Sequence, residues 1–458
     1  MRYLLFALIL LAQTTGHAQP HIQGTVNLTM KDDLLDCDFT VTNLPPLTSY
    51  RLLLNHGMNI QFVISDSGKV LSYDGFYSGK MTGEALEYTL LKNEEDTFAT
   101  LPASFRIKYR GAFPVYGDTL NSFDFKGLIA FNGKTARATE QSKWYPVLYD
   151  VQNDRLIDNY TYDIMVNSAD CKTVVINGSV PTQKLPAQLR SNTPRALFLF
   201  AGDYDVVASN GNYILNADVD SKTAAKIFTE LDRIKAFQGA ALSLTYNENI
   251  YLISHKPVKP YPPQASWGFT IFPSFAYANL NFKTLLDSTG KMNGENIAFF
   301  AHELAHYYFG DNMLSGMQQW FWLESTAEYL SLKTSEALTD TAFYNKRLRR
   351  YMNFLKTQKY KPLASLKGKE EIDENYRYVY GPLLLLSFEK TFGQKTTFKV
   401  LSDLVKRSKT ETATLTLFKK LALQNKIKET DYDRFYNRFF ASETALANTV
   451  QFVLPAKP

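Results

Sequence analysis

Two kinds of hydrophobic periodicity divide the chain. From about residue 20 to residue 215, short runs alternate apolar and polar positions and are separated by turn residues such as Asn177-Gly178. Side chains of a strand point alternately to its two faces, so this period predicts strands that each bury one face. Examples are residues 25–29, 39–41, 160–166 and 173–176. We therefore predict an N-terminal antiparallel β domain, sandwich or saddle-like, with a structural or substrate-framing role.

The period changes near residue 218. Residues 218–221 offer capping side chains for a helix whose apolar positions recur from Ala224 to Phe237 and which is predicted to stop at Gly239. Beyond residue 320 the pattern is mostly helical. Between the two helical regions, strand-like runs occupy residues 242–246, 250–254 and 267–272. A small sheet followed by helices predicts an α+β lobe.

The length of the chain implies several domains. Its 458 residues exceed what one hydrophobic core usually supports, so an α+β multidomain protein is expected. The predicted segments are 1–18, a signal peptide; 19–215, the β domain; 216–390, the α+β lobe; and 391–458, a C-terminal helical segment.

The first residues resemble an export signal. Met1-Arg2-Tyr3 is followed by the apolar run 4–12 and by the small residues Gly16-His17-Ala18, where cleavage is expected. Nine apolar residues are too few to span a bilayer, which needs about 20. We therefore expect a periplasmic or extracellular protein, with an uncleaved membrane anchor as the alternative. No transmembrane segment is predicted in the mature chain.

Charge and hydrophobic content indicate a folded globular protein. Hydrophobic residues make up 45% of the chain, charged residues make up 21%, and the net charge is +5. Basic residues cluster only in short groups such as residues 347–350, so nucleic acid is not an expected partner. The sequence does not fix the oligomeric state.

The chain has two cysteines, Cys37 and Cys171. In an exported protein they can form a disulfide, and two independent buried thiols are the alternative. Neither cysteine is spaced in sequence to bind a metal together with His302 and His306, the histidine pair described next.

The strongest chemical signal is His302-Glu303-Leu304-Ala305-His306. Two histidines four residues apart lie on one face of a helix, so both rings can reach one ion. The glutamate between them can take a proton from an attacking water, which is the arrangement of a zinc hydrolase. The chain has only six histidines, so chance pairing is a weak explanation. The alternative is an amphipathic helix with two surface histidines.

A catalytic zinc needs a third protein ligand. The acidic candidates downstream are Asp311, Glu324 and Glu328. The metal helix is predicted to begin near residues 293–295 and to end at Gly310 with a left-handed cap, and a second helix then carries Glu324 and Glu328 one turn apart. In one geometry Glu324 binds the metal while Glu328 accepts a hydrogen bond from a ligand histidine. A solvated Glu328 is the alternative.

Residues 302–310 followed by Trp322-Leu323-Glu324 resemble the gluzincin metallopeptidases, most closely the aminopeptidase N family. That family has an N-terminal β domain, a thermolysin-like catalytic domain and often C-terminal helices, so the resemblance implies that residues 216–390 are the thermolysin-like domain. Looser similarity to the family's β domain occurs at residues 144–147, 172–178 and 198–204.

The resemblance implies a role for each matching residue. His302, His306 and Glu324 match the zinc ligands, and Glu303 matches the general base. Tyr378 lies at the distance from Gly381 where the family has a tyrosine that stabilises the oxyanion. Tyr376 is the alternative for that role.

The chain departs from the family in two places. Residues 307–323 separate His306 from Glu324, one residue fewer than the family usually has. Residues 263–268 stand where the family carries Gly-x-Met-Glu-Asn, whose glutamate holds the substrate's amino group, and they contain no acid. Without that carboxylate, strict N-terminal specificity loses its main electrostatic cause. Asp287 and Glu295 are acids nearby in sequence.

These observations predict a secreted zinc metallopeptidase that acts on peptides or proteins. Aminopeptidase action is implied by the resemblance, and endopeptidase action by the missing acid. The alternative is a non-catalytic or weakly active zinc-containing protein of the same fold that binds peptides.

Overall fold

The computed structural model of the protein describes residues 19–76, 84–92, 100–115, 124–255, 267–278 and 280–453, apart from the side chain of residue 311. The expected signal peptide, residues 1–18, lies outside the described residues. Within the described residues, no helix is both long and apolar enough to cross a membrane.

The N-terminal part is built from sheets, as its alternating pattern predicts. Strand 159–167 buries every second residue, namely Tyr160, Tyr162, Ile164 and Val166. In chain order the strands are β1 His21–Thr29, β2 Leu34–Thr42, β3 Tyr50–Asn55, β4 Asn59–Ser65, β5 Ser72–Phe76, β6 Ala85–Leu91, β7 Phe105–Ala112, β8 Ala130–Phe131, β9 Thr135–Ala138, β10 Val147–Asp150, β11 Arg155–Ile157, β12 Asn159–Asn167, β13 Thr173–Ile176, β14 Ala187–Ala196 and β15 Leu199–Gly202.

These strands form three sheets. Their orders are β14-β12-β1-β2-β7-β4, β11-β10-β3-β6-β5 and β13-β15-β9-β8. Pairing is antiparallel except between β1 and β12, which run parallel. The predicted β domain is therefore confirmed, with one parallel pair. Cys37 lies in its core, and both Cys37 and Cys171 are free thiols, so they form no disulfide.

A mixed sheet and two helices follow. The elements are β16 Val206–Ser209, β17 Asn212–Leu215, α1 Ser221–Leu242, β18 Tyr251–Ser254, β19 Trp267–Ile271, β20 Ser274–Ala278 and α2 Gly294–Ala305. The sheet order is β16-β17-β18-β20-β19. Since β16 and β17 already belong to this sheet, the change of sheet occurs before the predicted boundary at residue 215. The domain limits themselves stay a prediction.

The C-terminal region is helical, as its pattern predicts. Its helices are α3 Thr326–Leu338, α4 Thr341–Leu355, α5 Gly381–Phe392, α6 Gln394–Arg407, α7 Leu415–Gln424, α8 Glu429–Tyr436 and α9 Ala445–Val453. Wider π-helical turns occupy Phe321–Ser325, Tyr376–Tyr380 and Asn437–Ala441, and short 3-10 turns occupy Glu140–Ser142, Phe282–Thr284, Asp311–Met313, Leu363–Ser365 and Lys369–Glu371.

Two local predictions are wrong. The run 242–246 is not a strand, because α1 continues to Leu242, which is buried, and ends with Ser243 in the left-handed conformation at φ 51°. Gly310 does not cap the metal helix, because α2 already ends at Ala305. At Gly310 a Cβ atom would lie 2.5 Å from the carbonyl oxygen of His306, so glycine is needed there for close packing.

Candidate metal centre

Helix α2 presents the histidine pair. Asn293 caps its first turn, with the side-chain oxygen accepting a hydrogen bond of 2.8 Å from the backbone NH of Asn296. The apolar face, which includes Ala301, Leu304 and Ala305, is buried, while His302, Glu303 and His306 remain partly exposed on the other face. The helical period thus places the three polar groups together at one surface.

Glu324 reaches the same point from the π-helical turn 321–325. Phe321 and Trp322 are fully buried and anchor this turn in the helical core. Gly381 lets the turn pack against the turn 376–380, because a Cβ at Gly381 would lie only 1.9 Å from Ser325 Oγ. Ser325 Oγ also donates a hydrogen bond of 2.8 Å to the carbonyl oxygen of Arg377. The two turns are therefore held in a fixed relation.

Three side-chain atoms converge at distances that suit a tetrahedral metal. The two histidine Nε2 atoms lie 3.2 Å apart, and Glu324 Oε2 lies 3.3 Å from His302 Nε2 and 3.5 Å from His306 Nε2. Bonds of about 2.0–2.1 Å to a tetrahedral zinc separate neighbouring ligand atoms by about 3.3–3.4 Å. Glu324 Oε2 is buried and faces the two Nε2 atoms. The residues present therefore fit a zinc ion.

Each histidine is oriented by its other ring nitrogen. His302 Nδ1 lies 2.9 Å from Glu328 Oε2, and His306 Nδ1 lies 3.0 Å from the carbonyl oxygen of Phe309. Both partners are acceptors, so each Nδ1 carries a proton and each Nε2 keeps a lone pair for a metal.

Glu328 belongs to a buried network with helix α4. Arg347 Nη2 donates to Glu328 Oε1 at 2.5 Å, and the hydroxyl of Tyr351 donates to the same oxygen. Arg347 also donates to Ser331 Oγ at 3.0 Å and to Ser335 Oγ at 2.8 Å. Burial alone would raise the pKa of Glu328, but the Arg347 charge and the hydrogen bonds outweigh it and lower the pKa to about 2. Glu328 is thus an ionised acceptor, not a solvated residue.

The ligand side chains shift one another's pKa values. Burial lowers the pKa of His302, but hydrogen bonds to Glu324 and Glu328 outweigh this and raise the pKa to about 10. Burial raises the pKa of Glu324, while the charge of His306 and hydrogen bonds from both histidines hold it well below its usual value. The opposite directions of these shifts reflect the short distances between the three ligand side chains.

Glu303 points toward strand β19. The hydroxyl of Thr270 donates a hydrogen bond to Glu303 Oε2. Thr270 alternates with the buried residues Phe269 and Ile271, so the pleat turns its side chain to the opposite face of the strand. The carboxylate is thereby oriented beside the ligand triad.

Tyr378 lies beside the triad and Tyr376 does not. The centre of the Tyr378 ring is 5.6 Å from that of His302. Burial and the nearby charge of Glu324 raise the pKa of Tyr378, so its phenol is protonated at neutral pH. Tyr376 is fully buried, packs against Tyr360 and Tyr380, and donates to the carbonyl oxygen of Lys361 at 3.3 Å.

The acids considered for an amino-group site lie elsewhere. Asp287 accepts hydrogen bonds within its own turn, from the backbone NH groups of Thr289 and Lys291. The Glu295 side chain is 62% exposed and lies 3.9 Å from Arg350. Residues 263–266 lie outside the described residues, as does the side chain of Asp311.

Cations of the β domain flank strand β19. Lys126 Nζ donates to the carbonyl oxygen of Thr270 at 3.2 Å, and the Arg137 guanidinium lies 5.4 Å from the Phe269 ring. Both are neutralised by acids, Lys126 by Glu140 at 2.6 Å and Arg137 by Asp124 at 2.7 Å. This edge of the site carries paired charges.

Three contributors to the site were not predicted from the sequence: Thr270, Arg347 and Tyr351. The sequence pattern does contain a signal for Arg347 and Tyr351. Arg347 lies on the apolar stripe of α4 with Leu348, Tyr351, Met352 and Leu355, and a cation on a buried face needs an acid partner. For Thr270 the strand pattern gives no indication of a contact with Glu303.

Comparisons with known proteins bear on the fold of the chain. No protein-family model and no curated protein matches the sequence. Among solved structures, an M1 zinc metallopeptidase from Deinococcus radiodurans is similar over 93% of this chain and 94% of its own, with a TM-score of 0.61 and 16% identity. Leukotriene A4 hydrolase from Saccharomyces cerevisiae is similar over 92% of this chain and 67% of its own, with a TM-score of 0.62 and 13% identity.

A third similar structure is a variant of the Deinococcus metallopeptidase bound to a Tyr-Ser-Ala substrate. It covers 96% of this chain and 96% of its own, with a TM-score of 0.59 and 14% identity. These likenesses span nearly the whole chain at low identity, so they establish architecture. The resemblance to this family noted in the sequence is confirmed, and the chain has the multidomain fold of the M1 zinc metallopeptidases.

Proposed function

We propose that the protein is an exported zinc metallopeptidase that hydrolyses peptide bonds, with Glu303 as the general base. The observation that supports it best is the convergence of His302, His306 and Glu324 on one point, beside the carboxylate of Glu303, which is not one of the three ligands. A site that only stabilised the fold would need no such carboxylate. Export rests on residues 1–18 and is part of the proposal.

The residues divide the chemistry among them. When bound by the triad, zinc supplies Lewis acidity toward the scissile carbonyl and lowers the pKa of water. Glu303, oriented by Thr270, takes the proton of the attacking water and passes it to the leaving amine. The protonated phenol of Tyr378 donates a hydrogen bond to the oxyanion. Glu328 keeps His302 in the tautomer whose Nε2 faces the site.

The specificity of the proposed peptidase has two forms. Aminopeptidase action is what the resemblance implies. Endopeptidase action, or action on peptides with a blocked amino end, is favoured by the absence of an acid from residues 263–268. The same absence favours the second candidate function, a zinc-containing peptide-binding protein, whereas the intact Glu303 argues against it.

The test is a paired measurement on the purified protein. Zinc content is determined, and cleavage of free-amino and N-blocked peptide libraries is followed with and without a chelator. We expect bound zinc and chelator-sensitive cutting; cutting of blocked peptides identifies an endopeptidase. Bound zinc without any cutting would replace the proposal with the binding protein.

The general base is tested by Glu303→Gln. This variant should keep zinc and lose about 10²- to 10⁴-fold in turnover, the usual contribution of a positioned acid–base group. Glu295→Gln is the matched control, because Glu295 lies in the first turn of the same helix and is exposed. Turnover that persists in Glu303→Gln would rule out the proposed mechanism.

A further inference from the structure

Arg377 is a cation beside the candidate metal centre that has no acid partner among the described residues. It directly precedes Tyr378 in the π-helical turn 376–380. Its guanidinium carbon lies 5.1 Å from the centre of the Trp320 ring and 5.4 Å from that of the Tyr378 ring. Its Nε is buried and forms no hydrogen bond.

The buried arginines of the described part of the chain are neutralised. The pairs are Arg137 with Asp124 at 2.7 Å, Arg195 with Glu248 at 2.5 Å and Arg347 with Glu328 at 2.5 Å. Removing a charge from water is costly unless an opposite charge compensates it. The half-buried Arg377 therefore lacks a counter-ion among the described residues, and a ligand bound beside the metal centre can supply one.

The aromatic neighbours leave hydrogen-bond donors of the guanidinium available. Its carbon lies over the Trp320 and Tyr378 rings, 5.1 and 5.4 Å from their centres, and a cation–π contact does not use the N–H donors as a carboxylate would. A carboxylate matches the guanidinium fork with two parallel hydrogen bonds, which fixes both distance and orientation.

The distance to the reacting centre sets where that anion lies on a substrate. The Tyr378 ring is 5.4 Å from the guanidinium and 5.6 Å from the His302 ring, so Arg377 lies within about 11 Å of His302. An extended peptide advances about 3.3–3.6 Å per residue. A carboxylate two or three residues from the scissile bond can therefore reach Arg377.

We infer that Arg377 binds a carboxylate of the peptide substrate, two or three residues from the bond that is cut. The inference rests on the proposed peptidase function and narrows its substrates to anionic peptides. The carboxylate is either the free C-terminus of a short peptide or the side chain of an Asp or Glu residue. Arg377 would thus select substrates by charge, while Glu303 and Tyr378 act on the bond itself.

The test compares matched peptides on the zinc-loaded full-length protein. One pair differs in a C-terminal acid or amide, and a second pair differs in an internal Glu or Gln. We expect kcat/KM to favour the anionic member of one pair by about tenfold, and Arg377→Gln to abolish that preference by lowering kcat/KM more for the anionic member than for the neutral one. The pair that responds identifies the source of the carboxylate.

A merely structural arginine would behave differently. Arg438 is the matched control, because it also stacks on two rings, 5.0 Å from Phe439 and 5.3 Å from Phe452, among the C-terminal helices. Arg438→Gln should leave the preference unchanged. Equal losses for charged and neutral peptides in Arg377→Gln, or no charge preference in the unmutated protein, would overturn the inference.

Binding separates this inference from the proposed function. The same peptides are titrated calorimetrically into zinc-loaded Glu303→Gln protein, with and without Arg377→Gln. Tighter binding of the anionic peptides that depends on Arg377, together with no cutting by the unmutated protein, would reject the peptidase and support the carboxylate site. Equal affinity for both members of each pair would reject the carboxylate site, whether or not peptides are cut.

Discussion

The two sides of the candidate metal centre differ in how their polar groups are held. On the helical side, His302 is hydrogen-bonded to Glu328, which accepts hydrogen bonds from Arg347 and Tyr351, and these last three residues are buried. The other side, which we call the cleft side, comprises Thr270, Glu303, Tyr378 and Arg377. There Glu303 accepts a hydrogen bond from Thr270, and Arg377 lies over two aromatic rings without an acid partner among the described residues.

This difference separates two tasks. A metal is held firmly when its ligands are oriented before it binds, and the buried network of α3 and α4 provides that orientation. A substrate needs donors and acceptors that are still free, and the cleft side keeps them. We therefore expect substitutions on the helical side to change stability and zinc affinity, and those on the cleft side to change turnover.

The largest effect on the helical side is expected from Arg347→Met. Loss of the guanidinium leaves the buried carboxylate of Glu328 without its cation, which typically costs about 3–5 kcal/mol of stability. Denaturant unfolding measures the change. Arg350→Met is the control, because that side chain is 63% exposed and a surface pair contributes about 0–1 kcal/mol. Equal losses in the two variants would show that the network contributes no more than a surface pair.

On the cleft side, Tyr378→Phe removes the proposed oxyanion donor and leaves the three ligand side chains in place. Turnover should fall about 10²- to 10³-fold, while zinc content stays the same. Steady-state kinetics and metal analysis measure the two quantities. Tyr376→Phe is the matched control, because that phenol is buried away from the ligands. A similar loss of turnover in Tyr376→Phe would contradict the assignment of the oxyanion donor to Tyr378.

The hydrogen bond between His302 Nδ1 and the Glu328 carboxylate is tested by Glu328→Gln. Zinc affinity should fall about 10- to 100-fold, because the ligand loses a charged partner that orients it. Competition with a chromophoric chelator measures the affinity. Glu336→Gln, a change of a more exposed acid on the same helix, should leave the affinity unchanged. Unchanged zinc affinity in Glu328→Gln would show that Glu328 is not needed to orient His302.

The smallest effect is expected from Thr270→Val, which removes the donor to Glu303. Turnover should fall about fivefold, as for a hydrogen bond of about 1 kcal/mol, with no change in zinc content. Thr270→Ser restores the hydroxyl and should restore turnover. A loss of zinc in Thr270→Val would place this contact on the metal-holding side instead.

The parts of the site that lie close together in sequence could be predicted. His302 and His306 are four residues apart, so they lie on the same face of a helix. Glu324 and Glu328 have the same spacing, which predicts that they also lie about one turn apart. Fold class also followed from pattern, because period two and period 3.6 occupy separate stretches of the chain.

The remaining parts depend on packing between distant segments. Gly310 is required by an approach to the His306 carbonyl, not by a helix end, and only the folded chain shows this. Thr270 and Glu303 are hydrogen-bonded although they lie 33 residues apart, and no local pattern encodes that contact. The apolar stripe of α4 indicates that Arg347 is buried, but it does not identify Glu328 as its partner.

The separation of metal holding from chemistry is tested most directly by measuring zinc affinity and turnover at saturating zinc for Glu303→Gln and Glu328→Gln side by side. We expect Glu303→Gln to keep its zinc affinity and lose turnover, and Glu328→Gln to lose affinity while its turnover at saturating zinc stays within a few-fold of the unmutated protein. Loss of zinc affinity in Glu303→Gln as large as that in Glu328→Gln would contradict the separation.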